Sequence, residues 1–209
     1  MHTLLMTAWL CLPLAPLNPL EQDTLADLSL HLSAGFASPN GIVSLGPDVS
    51  GNLEMMVMHP WVIRAGFDYR FGTLYSRLYP RGDLNSLVVS TDVLYYRGTS
   101  QLTGYIGLGV VYAMNHFSPN QGTSDSLRLQ ESVIDVNMAP QWGYRFTMGL
   151  RINRNTSLEI AVSELHPNFV FWRQQAPDRQ SRFSTPTNTG SFRVSVGYVW
   201  EIMPHRSAR

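Results

Sequence analysis

Three residues have the types and spacing for nucleophilic catalysis. His116 and Ser118 stand two apart in N-H-F-S-P-N, and a carboxylate, Glu131, follows. A base beside a serine hydroxyl is what an activated nucleophile needs. The same residue types are ordinary turn formers, since Asn, Ser and Pro favour polar loops. The loop reading is the expectation, with catalysis as the alternative. His31, His59 and His116 form no ligand-spaced set of the H-x₃-H kind, so neither metal nor cofactor is expected. Cys11 is the single cysteine, which leaves no disulfide chemistry to the mature chain.

The charged residues are few, at 14%, and they balance to a net charge of zero. That argues against a nucleic-acid partner held through phosphates. All 15 basic residues are arginine. Arginine suits fixed, multi-donor pairing, whereas lysine suits solvated surface; genome composition is the competing explanation. No run of 18 apolar residues marks a transmembrane helix, but barrel strands need only about 9–11 residues each.

The elements that must position these residues alternate with a period of two. Residues 1–22 carry an apolar run of export-signal length, with three prolines near the expected cleavage region and no preceding basic residue. The remainder, 23–209, reads as one domain. Its first strand covers about 27–36, and a Gly/Pro-rich loop runs to about Asn52. Residues 53–71 form one long strand or two meeting at His59-Pro60, with a short strand at 74–79 if the run is single. Further strands are expected at about 87–97, 102–114, 141–152, 157–165 and 191–202. Long polar loops are expected at about 115–140 and 166–189.

Three observations favour a membrane barrel over a β-sandwich or a soluble lipocalin-like carrier. The polar face of the strands collects small residues, including Gly35, Gly66, Gly107, Gly109, Gly143, Gly149 and Gly197. It also collects charges of both signs. Arg64, Arg70, Arg145, Arg151 and Arg193 stand against Asp68, Asp92, Glu159 and Glu201, which predicts an internal ion-pair network. The apolar face ends in aromatics: Trp61, Tyr69, Phe71, Tyr95, Tyr112, Trp142, Tyr144, Tyr198 and Trp200. Short turns alternate with long loops, and the count comes to eight strands. The predicted fold is therefore all-β, an eight-stranded antiparallel up-and-down transmembrane β-barrel. Side chains fill an interior of that size.

Residues 27–202 resemble the small outer-membrane barrels of the OmpA/OmpX or OmpW type. The segment from Ser195 to Ile202, S-V-G-Y-V-W-E-I, is similar to their C-terminal assembly signal, although here M-P-H-R-S-A-R follows. The resemblance implies residence in the bacterial outer membrane as a monomer. It also implies contact with outer-membrane lipid and lipopolysaccharide, and recognition by the barrel-assembly machinery. The expected role is non-enzymatic: envelope structure, surface interaction or passage of small molecules. The loop arginines Arg173, Arg179 and Arg182 are candidates for lipopolysaccharide phosphates. His116, Ser118 and Glu131 also resemble the Ser, His and Glu of the outer-membrane lipid A deacylases. In that family the pair lies near the chain's end, whereas here several strands follow. A deacylase-like enzyme remains the alternative from another class.

Overall fold

A computed structural model describes residues 27–39, 45–74, 80–99, 101–165, 168–176, 179–186 and 191–203. The expected export segment, with Cys11, lies outside the described residues. In chain order the elements are β1 (Leu28–Pro39), β2 (Gly46–Met58), β3 (Trp61–Leu74), β4 (Gly82–Gly98), β5 (Leu102–Pro119), α1 (Gln121–Glu131) and β6 (Val133–Met138). They continue with β7 (Gln141–Ile152), β8 (Thr156–Glu164), β9 (Asn168–Ala176), β10 (Arg179–Pro186) and β11 (Ser191–Met203). Eight strands close into an antiparallel barrel in the order β1-β11-β8-β7-β5-β4-β3-β2, and β2 returns to β1. The predicted architecture is the one formed.

The burial pattern is that of a soluble protein turned inside out. Leu108, Val110, Val196, Trp200 and Phe36 point outward and stay exposed, while Arg64, Asp68, Asp92 and Arg193 point inward and are buried. An apolar belt of this extent has no place in water, and hydrocarbon is the surrounding that suits it. Small residues give the interior its room. A Cβ at Gly149 would collide with the Tyr105 ring, and one at Gly109 with the Asp92 carboxylate.

The structure decides between the two alternatives for 53–71 and corrects one expectation, the loop up to Asn52. The 53–71 run is two strands, β2 and β3, which meet at a cis His59-Pro60 bond. Leu74 ends β3 rather than opening a new strand. The Gly/Pro-rich stretch up to Asn52 is mostly strand. Gly46 lies too close to the Phe71 carbonyl for any side chain, and Pro47 sits near the strand's start, where proline is tolerated. From there Asp48, Ser50 and Asn52 alternate inward.

The two long polar loops are also structured. β5 continues to Pro119, and Asn120 caps α1 by accepting from the Thr123 N–H at 2.9 Å. Ser132 ends the helix in the left-handed conformation. β6, β9 and β10 form a second sheet in the order β10-β9-β6. This sheet has its own core, in which Val133, Val136, Met138, Phe169 and Phe171 pack against Leu74, Leu84 and Phe117. The last three are inward residues near the ends of β3, β4 and β5. The second sheet and α1 thus make a cap over the inner face of the taller β3–β5 wall, at the long-connection end. The connections look polar in sequence because only alternate residues feed this core.

Candidate functional site

Inward residues of the barrel strands build a continuous lattice of charges. Arg64 lies beside Glu54 on the neighbouring strand, with Nε donating at 2.8 Å and Nη2 in ion-pair contact at 2.7 Å. Arg64 also donates to Glu159 from across the lumen. Arg151 donates to Glu54, and Arg193 bridges Glu159 and Asp68. Arg145 donates to Asp68 at 2.9 Å, to Asp92 at 3.0 Å and to the Ser90 hydroxyl at 2.6 Å. Arg70 donates to Asp68 at 3.1 Å and to Ser191 at 2.5 Å. Asp48 faces Arg70 and Arg193 at 3.4 and 3.5 Å. Two stacked tyrosines finish the short-turn end, where Tyr96 donates to Glu54 at 3.2 Å and Tyr105 to Glu159 at 2.8 Å.

The lattice joins five arginines (64, 70, 145, 151 and 193) to five acids (48, 54, 68, 92 and 159), so its formal charge is zero. Every member is buried. Burying ions is costly unless each finds partners, and forked guanidiniums can serve two or three carboxylates at once. Lysine, a point charge, would bridge fewer of them.

Eight of the nine charged residues singled out from the sequence meet in this lattice: Arg64, Asp68, Arg70, Asp92, Arg145, Arg151, Glu159 and Arg193. Glu201 forms no ion pair with them; it is exposed near the end of β11. Asp48 and Glu54 were missed. Glu54 stands two residues inside the 53–71 alternation, on the polar phase, but among methionines. Asp48 lay in the stretch read as loop. His31, weighed only as a metal ligand, is fully buried beside the lattice. Its Nε2 lies 2.6 Å from the Ser157 hydroxyl and its Nδ1 3.7 Å from Glu54. Gly197 supplies the space, because a Cβ there would strike His31. Among the described residues no group of three or more His, Cys, Asp or Glu is placed to hold a metal ion.

A cavity of about 30 Å³, room for roughly one water, lies between the lattice and the cap, against Arg70, Ser86, Asn115 and Ser191. It is no passage.

His116 and Ser118 face outward on the last turns of β5, with Nε2 to Oγ at 3.4 Å. Both are exposed. The side chains paired with them on β4 are Asn85 and Asp83. Glu131 is the last residue of α1, and its side chain lies outside the description. The pair is therefore on strand, where a loop was expected. Arg173 and Arg182 belong to the cap hairpin and stack on Phe183 and Trp172. Arg179 opens β10, and its side chain is not among those described.

No protein-family model matches the chain, and no curated protein matches its sequence. Solved structures do match. Outer membrane protein OprG from Pseudomonas aeruginosa is 13% identical, with 86% of this chain and 99% of that one covered at a TM-score of 0.60. Outer membrane protein AlkL, in lipid bilayers, is 14% identical over 93% and 100%, with a TM-score of 0.52. Neisserial surface protein A is 13% identical over 85% and 98%, also at 0.52.

The fold is that of the small outer-membrane β-barrels.

In an outer-membrane barrel the aromatics belong at the two interfaces. Here they fall into two groups of paired rings. Trp61 packs on Tyr95, and Tyr198 on Trp200, at the short-turn end. Tyr69 packs on Phe71, and Tyr112 on Trp142, toward the long-connection end, with Tyr144 close by. Between the two groups the barrel presents only apolar and small residues outward along β5, from Ile106 to Val110. The strand carrying Ser195 to Ile202 is β11, which closes the barrel by pairing with β1.

Proposed function

We propose that the chain is a non-enzymatic barrel of the bacterial outer membrane, sealed to water and ions, whose working surface is its cap and outer rim. One observation carries the reading: the lumen is occupied by a neutral lattice of five arginines and five acids. An ion entering it would have to break several buried pairs, each expensive to disrupt. The apolar belt and the two aromatic groups support the membrane placement. The short turns then face the periplasm and the cap faces outward. On this reading β11, through Ser195 to Ile202, is the segment met by the assembly machinery. The protein works as a monomer surrounded by lipid and lipopolysaccharide.

The test is reconstitution in planar bilayers. The sealed barrel shows no stepwise conductance, and its recovery is from the outer-membrane fraction with heat-modifiable gel migration. Regular unitary openings in the wild type would refute the sealed lumen. The deacylase-like reading finds less support. Strands tilted by about 40° climb roughly 2.5 Å per residue along the membrane normal. Ser118, six residues beyond Tyr112, then stands roughly 15 Å above that ring, and the residue paired with His116 on β4 is Asn85, an amide rather than an orienting carboxylate. Unchanged lipid A acylation in Ser118→Ala cells, equal to wild type, is the expected result.

A further inference from the structure

We propose that the open edge of the cap sheet, along β10, takes an extended acidic segment of another protein as a fourth strand. The proposal rests on the outward placement of the cap given above and adds to it the kind of partner the cap meets.

Two backbone bonds fix which way the residues of β9 point. Gln174 donates to the Ser132 carbonyl at 3.0 Å, and Ala139 to the Asn168 carbonyl at 2.9 Å. In an antiparallel sheet the N–H and C=O groups of successive residues turn to opposite sides. Asn168, Val170, Trp172 and Gln174 therefore bond toward β6, and Phe169, Phe171 and Arg173 toward β10. Opposite the latter three stand Thr185, Phe183 and Ser181. Gln180, Arg182 and Ser184 then turn their N–H and C=O groups away from β9, and among the described residues nothing meets them. The other edge is treated differently. By the same rule Val136 and Met138 turn their N–H groups outward from β6. Each is taken by the side chain before it, Asp135 at 2.9 Å and Asn137 at 2.8 Å. Among the described residues, one edge is closed by its own side chains and the other keeps its hydrogen-bonding groups open.

Charge and alternation select the occupant. Segment 168–186 holds three arginines, Arg173, Arg179 and Arg182, against one acid, Asp178. Arg182 is exposed on the open strand, and its guanidinium lies 5.7 Å from the Trp172 ring. It leans back over β9 and so leaves the edge uncovered. The described acid on that face, Asp135, stands two strands away on β6 and already accepts from the Val136 N–H. An acidic side chain directly across from Arg182 would complete a cross-strand ion pair. On the opposite face the edge presents Phe183, half-buried and stacked on Phe171 at 4.8 Å. Apolar side chains arriving beside it would extend the cap core. The fitting segment thus alternates apolar with polar and carries its acid on the polar phase, as strand addition to a sheet edge requires. A second copy of β10 fits badly. The antiparallel register that pairs all three open residues of each copy sets Arg182 against Arg182, and like charges directly opposite are unfavourable.

The full-length barrel is refolded into phospholipid nanodiscs. Heat-modifiable migration and protease resistance of the β9–β10 hairpin check the folding of barrel and cap. The probe is a labelled, end-capped peptide, Thr-Val-Glu-Val-Thr, read by fluorescence anisotropy beside the same peptide with lysine in place of glutamate. Its central residue falls opposite Arg182 and one valine beside Phe183. The wild type is expected to prefer the glutamate peptide about fivefold, and Arg182→Glu to reverse the preference. Ser184→Pro removes one open N–H without touching the bonds to β9, and is expected to weaken the glutamate peptide roughly fivefold or more. Hydrogen exchange gives a readout that charge alone does not move. In the free protein the Arg182 and Ser184 amides should exchange fast and those of Ser181 and Phe183 slowly, and the peptide should slow the fast pair. Equal affinity of the wild type for the two peptides overturns the proposal. So do Arg182 and Ser184 amides already protected in the free protein. A wild-type dimer in native mass spectrometry that Ser184→Pro dissolves would overturn it too, by giving the edge to a second copy. Binding is repeated on intact cells. A peptide held by the purified barrel but not by cells would refute the outward cap and leave the open edge standing.

Discussion

Glu159 is the acid whose removal tests the lattice most directly. It accepts from Arg64, Arg193 and Tyr105, three donors on three different strands. Replacing it by leucine leaves five arginines facing four acids in a buried space. Removing one partner of a buried ion pair typically costs about 3–5 kcal/mol, because the charge left behind is uncompensated. For a chain of this size a urea slope of about 2 kcal/mol per molar is reasonable, so the unfolding midpoint should fall by roughly 2 M. The decisive companion is Glu159→Leu/Arg64→Met. It leaves four arginines and four acids, and Glu54 keeps Arg151. Replacing both partners of a buried pair by apolar groups is often neutral. The double variant should therefore return to within about 1 kcal/mol of wild type. Urea unfolding in lipid vesicles, followed by tryptophan fluorescence, measures all three. A single variant as stable as wild type, or a double variant no better than the single, would refute the claim that charge balance holds the lumen together.

Two further outcomes follow from the packing. Phe169→Ala removes a fully buried ring from the cap core, a change that costs about 3–5 kcal/mol in a closed core. Limited proteolysis should then cut in the β9–β10 hairpin while heat-modifiable migration of the barrel persists; loss of both together would count against a separate cap core. Leu108, outward on β5 and 69% exposed, should resist charge: Leu108→Arg is expected to destabilise the barrel in vesicles by about 2–4 kcal/mol. An unchanged unfolding midpoint would show that this face does not meet hydrocarbon.

The barrel was readable from the sequence because one rule, alternation, governs every membrane strand. It also separated Arg145 and Arg193 from Phe146 and Val194 without reference to any partner. What it could not give was who pairs with whom. Arg64 and Glu159 are far apart in sequence and lie on strands that are not neighbours in the barrel, so their contact exists only once the sheet closes. Glu54 and Asp48 were hidden by their surroundings, methionines in one case and Gly/Pro in the other. Glu201 has the luminal phase, but phase does not tell that its side chain is exposed near the strand's end. The cap left a trace in Phe169 and Phe171 and in Val133 and Val136. Without knowing that Leu74, Leu84 and Phe117 rise to meet them, those residues had no evident destination.

The cap's core has a consequence for timing. Its strands come from two separate connections, β6 from between β5 and β7, and β9 and β10 from between β8 and β11. Its remaining members sit on β3, β4 and β5. No contiguous stretch of chain contains enough of that core to form it alone. The exterior surface is thus a late product of biogenesis, absent from any half-inserted intermediate. An antibody to the folded cap would count finished molecules and ignore the rest.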